Sequence, residues 1–350
     1  MEMEPFFTEL TSTAQTSYAQ LVDAALVAEH MRSVADLSGS FSHKIVKGRK
    51  YWYYQYSEPS GKLKQVFVGP DNEAVRGLMA LKNKPPVTRN LAPLAASAVA
   101  LGCADILPRH LRVILRLSEY GFFRAGGVLI GTHAFLAYGN MLGVRWGESS
   151  RTQDIDFAHS GKSVALALPS NIEVQTRDAI ESLQMGFLPV SGLSNRGGAS
   201  YLIPQDPGFR LDFLTTLHRG GEEPYEHPLL HVTLQPLKFM EYSLVDVQQA
   251  VLFNRDGAVM VNIPHPARFA LHKLIVFGER TGSFAAKTNK DLLQAASLLA
   301  FYKQNRPWEM EAALEDLTRR GKGWVSRLER GLNALAQNYP ELSIKEWLQA

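Results

Sequence analysis

The sequence of 350 residues predicts an α/β protein of the α+β type, in which a mixed sheet is combined with many helices. Three observations support this fold class. An apolar strand at Val128–Ile130 is followed by a turn at Gly131 and Thr132 and by a helix over residues 133–142. Short apolar runs typical of strands continue to about residue 234. From Pro266 onward, apolar residues instead recur at the spacings of three and four that predict helices.

The composition is that of an ordinary globular protein, with 45% apolar and 20% charged residues and a net charge of +3. The single cysteine, Cys103, excludes an intrachain disulfide and a cysteine-based zinc cluster. The acidic start has no signal-peptide pattern. The most apolar stretch, residues 91–107, is shorter than a membrane span and contains Asp105. We therefore expect a soluble, cytoplasmic protein with no membrane partner.

We expect three regions along the chain. Residues 1–120 form an N-terminal helical region that includes a basic, aromatic β module at about residues 40–70. Residues 121–234 form the mixed-sheet core with the candidate site. Residues 235–350 form a mainly helical region, which begins with a hairpin signalled by the turn at residues 254–257.

Two carboxylates lie one pleat apart on the strand that follows the first helix of the core. Asp154 and Asp156 point to the same face, because side chains alternate along a strand. A divalent cation between them would relieve their repulsion, and Mg²⁺ prefers such oxygen ligands. Asp212 lies on a later strand between apolar residues. If the two strands are adjacent, three carboxylates converge, and each like-charge contact at ~4 Å costs about 4 kcal/mol.

The turn before the helix predicts a phosphate site next to these carboxylates. Gly131 allows a ligand to approach the backbone closely, and the free N–H groups at a helix start favour an anion. His133 comes directly after this turn, and its side chain would either contact a nucleotide or have a capping or packing role. For the Asp-x-Asp pair taken alone, the alternative is the polar edge of an ordinary strand. The P-loop, dinucleotide-binding and serine-hydrolase motifs are absent from the sequence.

These motifs together resemble a known family. Gly131 and Thr132, then the run from Arg151 through Asp154-Ile155-Asp156 to Phe157, then Asp212, resemble the nucleotidyltransferase fold of the polymerase-beta superfamily. More narrowly, they are similar to small bacterial nucleotidyltransferases that include abortive-infection toxins. The resemblance extends over about residues 126–291. It implies a mixed-sheet nucleotidyltransferase core that transfers a nucleoside monophosphate from an NTP to an acceptor hydroxyl and releases pyrophosphate.

The resemblance also assigns roles to the core residues. Asp154 and Asp156 would hold two Mg²⁺ ions that bridge the triphosphate, and Asp212 would complete the metal beside the acceptor hydroxyl. Gly131 and Thr132 would hold the β- and γ-phosphates, and the threonine keeps the hydroxyl that the family has in a Gly-Ser turn. All three carboxylates are therefore candidate catalytic and metal-binding residues.

Cations on the helices that follow the core complete the family pattern. Lys273, Arg280 and Lys290 would neutralise the phosphates, the alternative being lysines on the solvated faces of helices. The spacing from the turn to the Asp-x-Asp pair is longer than in the family. We interpret the surplus, residues 144–150, as an irregular loop that either shapes the substrate pocket or marks a degenerate site.

The β module carries an excess of positive charge. Between residues 40 and 70 six lysines and arginines face one acid, an excess of +5. Cations interleaved with aromatic rings suit a nucleic-acid surface, although aromatic residues packed on helices are the alternative. The pattern also looks like the three-stranded arm-type DNA-binding domains of phage integrases. The residues assigned to this surface are Lys44, Lys47, Arg49, Lys50, Tyr51, Tyr53, Lys62 and Lys64.

The acceptor is the least determined part of this hypothesis. The basic module and the toxin-like resemblance favour RNA, tRNA ends in particular, and leave a protein hydroxyl or a small molecule open. The resemblance to toxins also suggests an antitoxin-type protein partner in a bacterial cell. The competing hypothesis is a catalytically degenerate protein that keeps the fold and binds nucleic acid.

Overall fold

The computed structural model describes ten parts of the chain, which together contain all the elements named below: residues 5–30, 39–57, 63–82, 91–147, 155–159, 174–190, 198–217, 221–228, 230–279 and 285–349. Helices and mixed sheets are combined in them, which confirms the predicted α+β class. Within these parts, no helix is both long enough and apolar enough to cross a membrane.

The N-terminal third contains four helices and two sets of strands. Its elements are β1 (Phe7–Glu9), α1 (Ser12–His30), β2 (Ser40–Val46), β3 (Arg49–Ser57), β4 (Leu63–Pro70), α2 (Glu73–Lys82), α3 (Ala92–Ala100) and α4 (Pro108–Glu119). β2, β3 and β4 form a three-stranded antiparallel sheet, in agreement with the predicted β module.

The middle third forms the main sheet. Its elements are β5 (Val128–Ile130), α5 (Gly131–Leu142), β6 (Val144–Trp146), β7 (Ile155–His159), α6 (Thr176–Ser182), β8 (Leu188–Pro189), β9 (Ser200–Ile203), β10 (Asp206–Thr216), β11 (Tyr225–His227) and β12 (Val232–Leu237). The main sheet has the order β11-β12-β10-β7-β5, and β9 pairs with the first half of β10 and with β8. β10 runs parallel to β7 and β12, whereas β5 is antiparallel to β7.

The C-terminal third is a hairpin followed by helices. Its elements are α7 (Met240–Ser243), β13 (Val247–Asn254), β14 (Gly257–Pro264), α8 (Pro266–Glu279), α9 (Ala285–Asn305), α10 (Pro307–Arg319), α11 (Lys322–Asn338), a 3-10 turn (Pro340–Leu342) and α12 (Ile344–Gln349). The hairpin turns at Asn254–Gly257 as predicted, and Asn254 accepts a hydrogen bond from the backbone of Asp256.

The hairpin β13–β14 lies between two apolar layers. One of its faces, with Val251 and Met260, packs against α1 and α3. The other face, with Leu252 and Val261, belongs to the main core, which also contains the buried residues of β10 and α8. The helices α8 and α11 approach closely at Gly331, where an added Cβ would lie 2.4 Å from the carbonyl oxygen of Leu274. Side chains larger than glycine are therefore excluded at this crossing.

Three segments are strands where the sequence predicts helix or loop. β1 falls in the region 1–120 that is predicted to be mainly helical, and β6 falls in the predicted loop at 144–150; the two pair with each other, Phe7 opposite Trp146. The sequence also predicts a polar loop over residues 220–228, where β11 lies and pairs with β12. These predictions were wrong because each strand is only three residues long, too short for a period of two to be recognised, and β1 and β6 are in addition far apart in the sequence.

Candidate active site

One row of residues crosses four strands of the main sheet. Asp212 on β10 lies beside Asp156 on parallel β7, and Asp156 lies opposite Ile130 on antiparallel β5. On the other side Asp212 lies opposite Ser200 on β9. Alternation along β10 sends Leu211 and Phe213, both fully buried, into the main core on the opposite face. The sequence therefore folds with Asp212 next to the Asp156 position and two strands away from Ile130, the residue that precedes Gly131.

Asp212 is a buried carboxylate with two partners. It is 8% exposed, and its Oδ1 accepts hydrogen bonds from the Ser200 hydroxyl and from the Arg210 guanidinium, whose Nη2 lies 2.6 Å away. Arg210 is two residues upstream on the same strand, so it reaches the same face. This cation reduces the repulsion that an acidic cluster would otherwise suffer.

Two of the predicted carboxylates are described less fully. Asp154 lies outside the described residues, and Asp156 is placed by the backbone pairing of β7. The expected adjacency of the two aspartate strands is present in the register of β7 and β10. The assignment of the three carboxylates as catalytic residues stays a prediction.

The helix α5 begins at Gly131 itself. Gly131 has φ +68°, a left-handed conformation that glycine adopts without strain, and the bend between β5 and α5 is made there. No side chain of the described residues caps this helix start, so its first N–H groups are available to an anion. Thr132 is buried, and its hydroxyl accepts a hydrogen bond from Gln294 at 3.4 Å. The Thr132 hydroxyl accepts this bond and keeps its own O–H as a donor, beside the backbone N–H groups of the helix start.

The helices α8 and α9 bring the predicted cations towards this helix start. Lys273 donates to Asp291 Oδ1 at 2.5 Å, and these side chains are 16% and 6% exposed. Asp291 and Gln294 lie one turn apart on α9, so the helix that pairs with Lys273 also contacts Thr132. The positive charge of Lys290 lies close enough to His133, on the first turn of α5, to lower the pKa of that histidine. Arg280 lies outside the described residues.

Two buried histidines lie beneath the helix start. His133 Nε2 and His110 Nδ1 are 2.9 Å apart, and both residues are at most 2% exposed. The His110 ring stacks on Phe209 with 5.1 Å between centroids. Burial, with smaller contributions from His110 and Lys290, lowers the pKa of His133 to about 3; burial, with a smaller contribution from Arg109, lowers the pKa of His110 to about 4. His133 therefore packs as a neutral residue.

This pair predicts an acid-sensitive fold. Each folded pKa lies below the usual 6.5, so the stability is complete above pH 6.5 and is lost as the pH falls towards 4. We expect a loss of about 2 kcal/mol for each histidine between pH 7 and pH 5. Urea unfolding of His110→Leu/His133→Leu should show a shallower pH dependence than the wild type, with His43→Leu, an exposed site in β2, as control. Equal slopes in all three proteins would contradict this assignment.

The residues assigned to nucleic acid lie mainly in the three-stranded sheet. Lys44 is on β2, Lys47 is in the following turn, and Lys64 is on β4. Lys62 lies outside the described residues. The remaining ones are on β3: Arg49, Lys50, Tyr51 and Tyr53.

Four contacts of the candidate site residues were not predicted from the sequence. Ser200 and Arg210 bind Asp212, Asp291 binds Lys273, and Gln294 binds Thr132. Only Arg210 has a local signal, because it lies one pleat before Asp212. The other three meet their partners through tertiary packing, which one sequence without its fold does not show.

The donor set of this site suits a hard cation. The described residues contain no group of three or more His, Cys, Asp or Glu side chains arranged around one point. The register nevertheless places the buried carboxylate of Asp212 next to the Asp156 position, and carboxylate oxygens are the ligands that Mg²⁺ and Ca²⁺ prefer. The residues present therefore fit a metal of this class.

Comparison with known proteins agrees with this geometry. Residues 109–319, more than half of the chain, match the model of a family described as nucleotidyltransferase. The chain belongs to this nucleotidyltransferase family, and the match spans β5, α5, β7, β10 and the helices α8 and α9. The fold named by the sequence resemblance is thereby confirmed.

One solved structure is similar over a large part of its length. It is the crystal structure of an antigenic nucleotidyltransferase-like protein from Paracoccidioides brasiliensis, with 16% identity and a TM-score of 0.31, covering 65% of this chain and 95% of that one. A TM-score this low does not define a shared fold, so the likeness adds nothing to the family assignment. No curated protein matches the chain in sequence.

Proposed function

We propose that this protein is a Mg²⁺-dependent enzyme that transfers a nucleoside monophosphate from an NTP to an acceptor hydroxyl and releases pyrophosphate. The observation that supports this most is the register of the main sheet. It places Asp212 beside the Asp156 position, and the Asp156 position beside Ile130 on the next strand. After Ile130 the chain turns at Gly131 into a helix whose start has no side-chain cap. Carboxylates for a metal and free N–H groups for phosphates thus lie at one edge of one sheet.

The carboxylates would have different roles, two toward the nucleotide and one toward the acceptor. Asp154 and Asp156 would hold the metal-bound triphosphate, and Asp212 would orient the acceptor hydroxyl and take its proton. When bound, two Mg²⁺ ions would supply charge stabilisation at the α-phosphate and on the leaving pyrophosphate. Ser200 and Arg210 hold Asp212 Oδ1, so they fix the direction in which this carboxylate presents its other oxygen.

The start of α5 would bind the rest of the triphosphate. The N–H groups at Gly131 and Thr132 would donate to the β- and γ-phosphates, and Lys290 would add positive charge from α9. Lys273 would contribute in the same way from α8, next to its ion pair with Asp291. Ionic contacts from two helices would keep the triphosphate against the sheet edge while pyrophosphate leaves.

RNA, with tRNA ends favoured, is the acceptor that we propose. The support is the excess of positive charge on the β module, which suits a polyanionic acceptor better than a neutral small molecule. A catalytically degenerate protein that binds nucleic acid is the second candidate. The observation in its favour is the ion pair of Asp212 with Arg210, because a carboxylate that holds a guanidinium is a weaker metal ligand.

Thermal unfolding with Mg²⁺ and each NTP in turn tests the proposal. A ligand that binds only the folded state at a hundred times its Kd stabilises by about 2.7 kcal/mol, so one NTP should raise the melting temperature by several degrees. We expect this rise to be lost in Asp154→Ala/Asp156→Ala. Asp206→Ala is the matched control, since Asp206 lies on the same strand as Asp212, about 20 Å away, and pairs there with Arg109 of α4.

The outcomes separate the two candidates. A rise with one NTP in the wild type and in Asp206→Ala, absent from the double variant, would support the transferase and identify the donor nucleotide. A radiolabelled form of that NTP would then be used to find the acceptor in total cellular RNA and protein. If no NTP changes the melting temperature of the wild type, the degenerate alternative is the better one.

A further inference from the structure

The three-stranded sheet β2–β3–β4 has two unlike faces. Residues opposite each other in an antiparallel register share a face, and side chains alternate along each strand. Phe41, Trp52 and Tyr54 are on one face, which we call the closed face. The other, called the open face, includes Ser42, Lys44, Arg49, Tyr51, Tyr53 and Phe67.

The closed face is packed within the module. Tyr54 is 1% exposed and meets the Phe41 ring edge-on at 5.2 Å. The Trp52 indole N–H donates to Asp71, which also pairs with Arg76 of α2 at 2.9 Å. The part of this face around Trp52 and Tyr54 is therefore packed, and Trp52 joins the sheet to α2 through Asp71.

The open face carries three aromatic rings that touch. Phe67 on β4 lies between two tyrosines of β3, with its centroid 6.2 Å from that of Tyr51 and 5.5 Å from that of Tyr53. Lys44 Nζ lies 4.8 Å from the centre of the Tyr53 ring. Phe67 is 56% exposed, so these touching rings form an aromatic patch that is open to solvent, and such patches mark interaction sites.

The charge of this face specifies the kind of ligand. The three strands, over their described ranges, contain no aspartate or glutamate, and Lys44 and Arg49 flank the rings on the open face. Cations beside exposed rings are complementary to phosphates beside bases. Bases in a duplex are already stacked on one another, so the three rings can stack only on unpaired bases. The ligand that fits is a single strand.

We infer that the open face binds single-stranded RNA, and that it holds the acceptor of the transferase proposed above. The RNA part rests on that proposed function and on two exposed polar side chains beside the rings. Gln65 lies on the open face opposite Gln55, and its amide donates to the Ser42 hydroxyl at 3.5 Å. This weak, exposed bond is readily exchanged for one to a ribose 2′-hydroxyl.

The sequence alone assigned residues of both faces to nucleic acid. In the structure Lys50 lies on the closed face, with its Nζ 4.4 Å from the centre of the Trp52 ring, whereas Arg49 lies on the open face. These two neighbours therefore offer a matched test, because they have equal charge and adjacent positions but point to opposite faces. Phe67 was absent from the predicted set and is central to the open face.

Fluorescence anisotropy with the full chain and a labelled U20 RNA tests this inference. We expect Phe67→Ala to weaken binding by about 10-fold or more, since a stacked base is lost. Ile45→Ala is the control: Ile45 is 68% exposed and lies opposite Lys50 on the closed-face side, and its removal should leave the affinity unchanged. Both substitutions are at exposed positions, and equal melting temperatures would verify that both proteins fold.

The salt dependence tests the face independently. Arg49→Ala should lower the slope of log K against log salt concentration by about 0.7, the value for one phosphate contact on a single strand, and Lys50→Ala should leave it unchanged. No binding of U20 by the wild type would overturn the inference, as would equal losses in Arg49→Ala and Lys50→Ala. Equal or tighter binding of dT20 or of an RNA duplex would overturn the assignment to single-stranded RNA.

The two proposals fail in different experiments. Phe67→Ala should keep the NTP-dependent rise in melting temperature, and Asp154→Ala/Asp156→Ala should keep RNA binding. If the protein binds RNA but no NTP raises its melting temperature, the RNA site on the open face is supported and the transferase proposal is contradicted. If an NTP raises the melting temperature but RNA does not bind, the transferase proposal is supported and the RNA site is contradicted.

Discussion

Asp212→Asn is expected to abolish nucleotidyl transfer, with a rate at least about 10³-fold below that of the wild type. The amide keeps the size of the side chain and can still accept hydrogen bonds from Ser200 and Arg210 at its oxygen. It loses the negative charge needed to bind a metal and the basicity needed to accept a proton from the acceptor. Binding of Mg·NTP should remain largely intact, because Asp154 and Asp156 would still hold the nucleotide.

Transfer of label from the NTP identified by thermal unfolding measures this effect. Asp206→Asn is the control for a general effect on β10, because Asp206 lies on the same strand as Asp212. It breaks only a half-exposed ion pair with Arg109 of α4, so it should leave transfer unchanged. The NTP-dependent rise in melting temperature reports binding in the same samples. If Asp212→Asn lost nucleotide binding while transfer by the bound fraction continued, Asp212 would not have the proposed role.

Lys273→Met is expected to lower the free energy of unfolding by about 3 kcal/mol, because it leaves the carboxylate of Asp291 buried without its lysine. Methionine preserves most of the volume and the contact with the Phe269 ring, over which the Lys273 ammonium lies at 5.1 Å. Urea unfolding at pH 7 measures the loss. The double variant Lys273→Met/Asp291→Leu should recover most of it, since an apolar pair can replace a buried ion pair with little cost.

The double variant also separates the two roles of Lys273. If the lysine contacts the triphosphate, the double variant will be stable but will have lost the NTP-dependent rise in melting temperature. If Lys273 serves only Asp291, the NTP response will return together with the stability. A single variant as stable as the wild type would show that the ion pair contributes little, and would leave Lys273 free to act on the nucleotide alone.

The elements with strong local signals could be predicted from the sequence. β5 begins and ends at the predicted residues and α8 begins at the predicted Pro266, because apolar periodicity, proline at helix starts and glycine at the end of β5 all act within a few residues. The hairpin β13–β14 was predictable for the same reason, since the turn residues Asn254 and Gly257 fix its register.

The environment of the site was harder to predict. The adjacency of the two aspartate strands could be expected from the family resemblance, but the compensation of Asp212 by Ser200 and Arg210 could not, because it depends on β9 lying on the other side of β10. The histidine pair shows the same limit. His110 and His133 lie on different helices, and only packing reveals that they meet.

The two-sided burial of the hairpin β13–β14 has a consequence for evolution of the chain. The nucleotidyltransferase match ends at residue 319 and begins at residue 109, whereas α1 and α3 cover one face of the hairpin and α11 crosses α8 at Gly331. A gene segment coding only for the matched residues would encode a protein with Phe253 and Met260 exposed. Recombination that moves the matched segment of this chain into another protein must therefore carry its flanking helices as well, or supply other residues that cover this face.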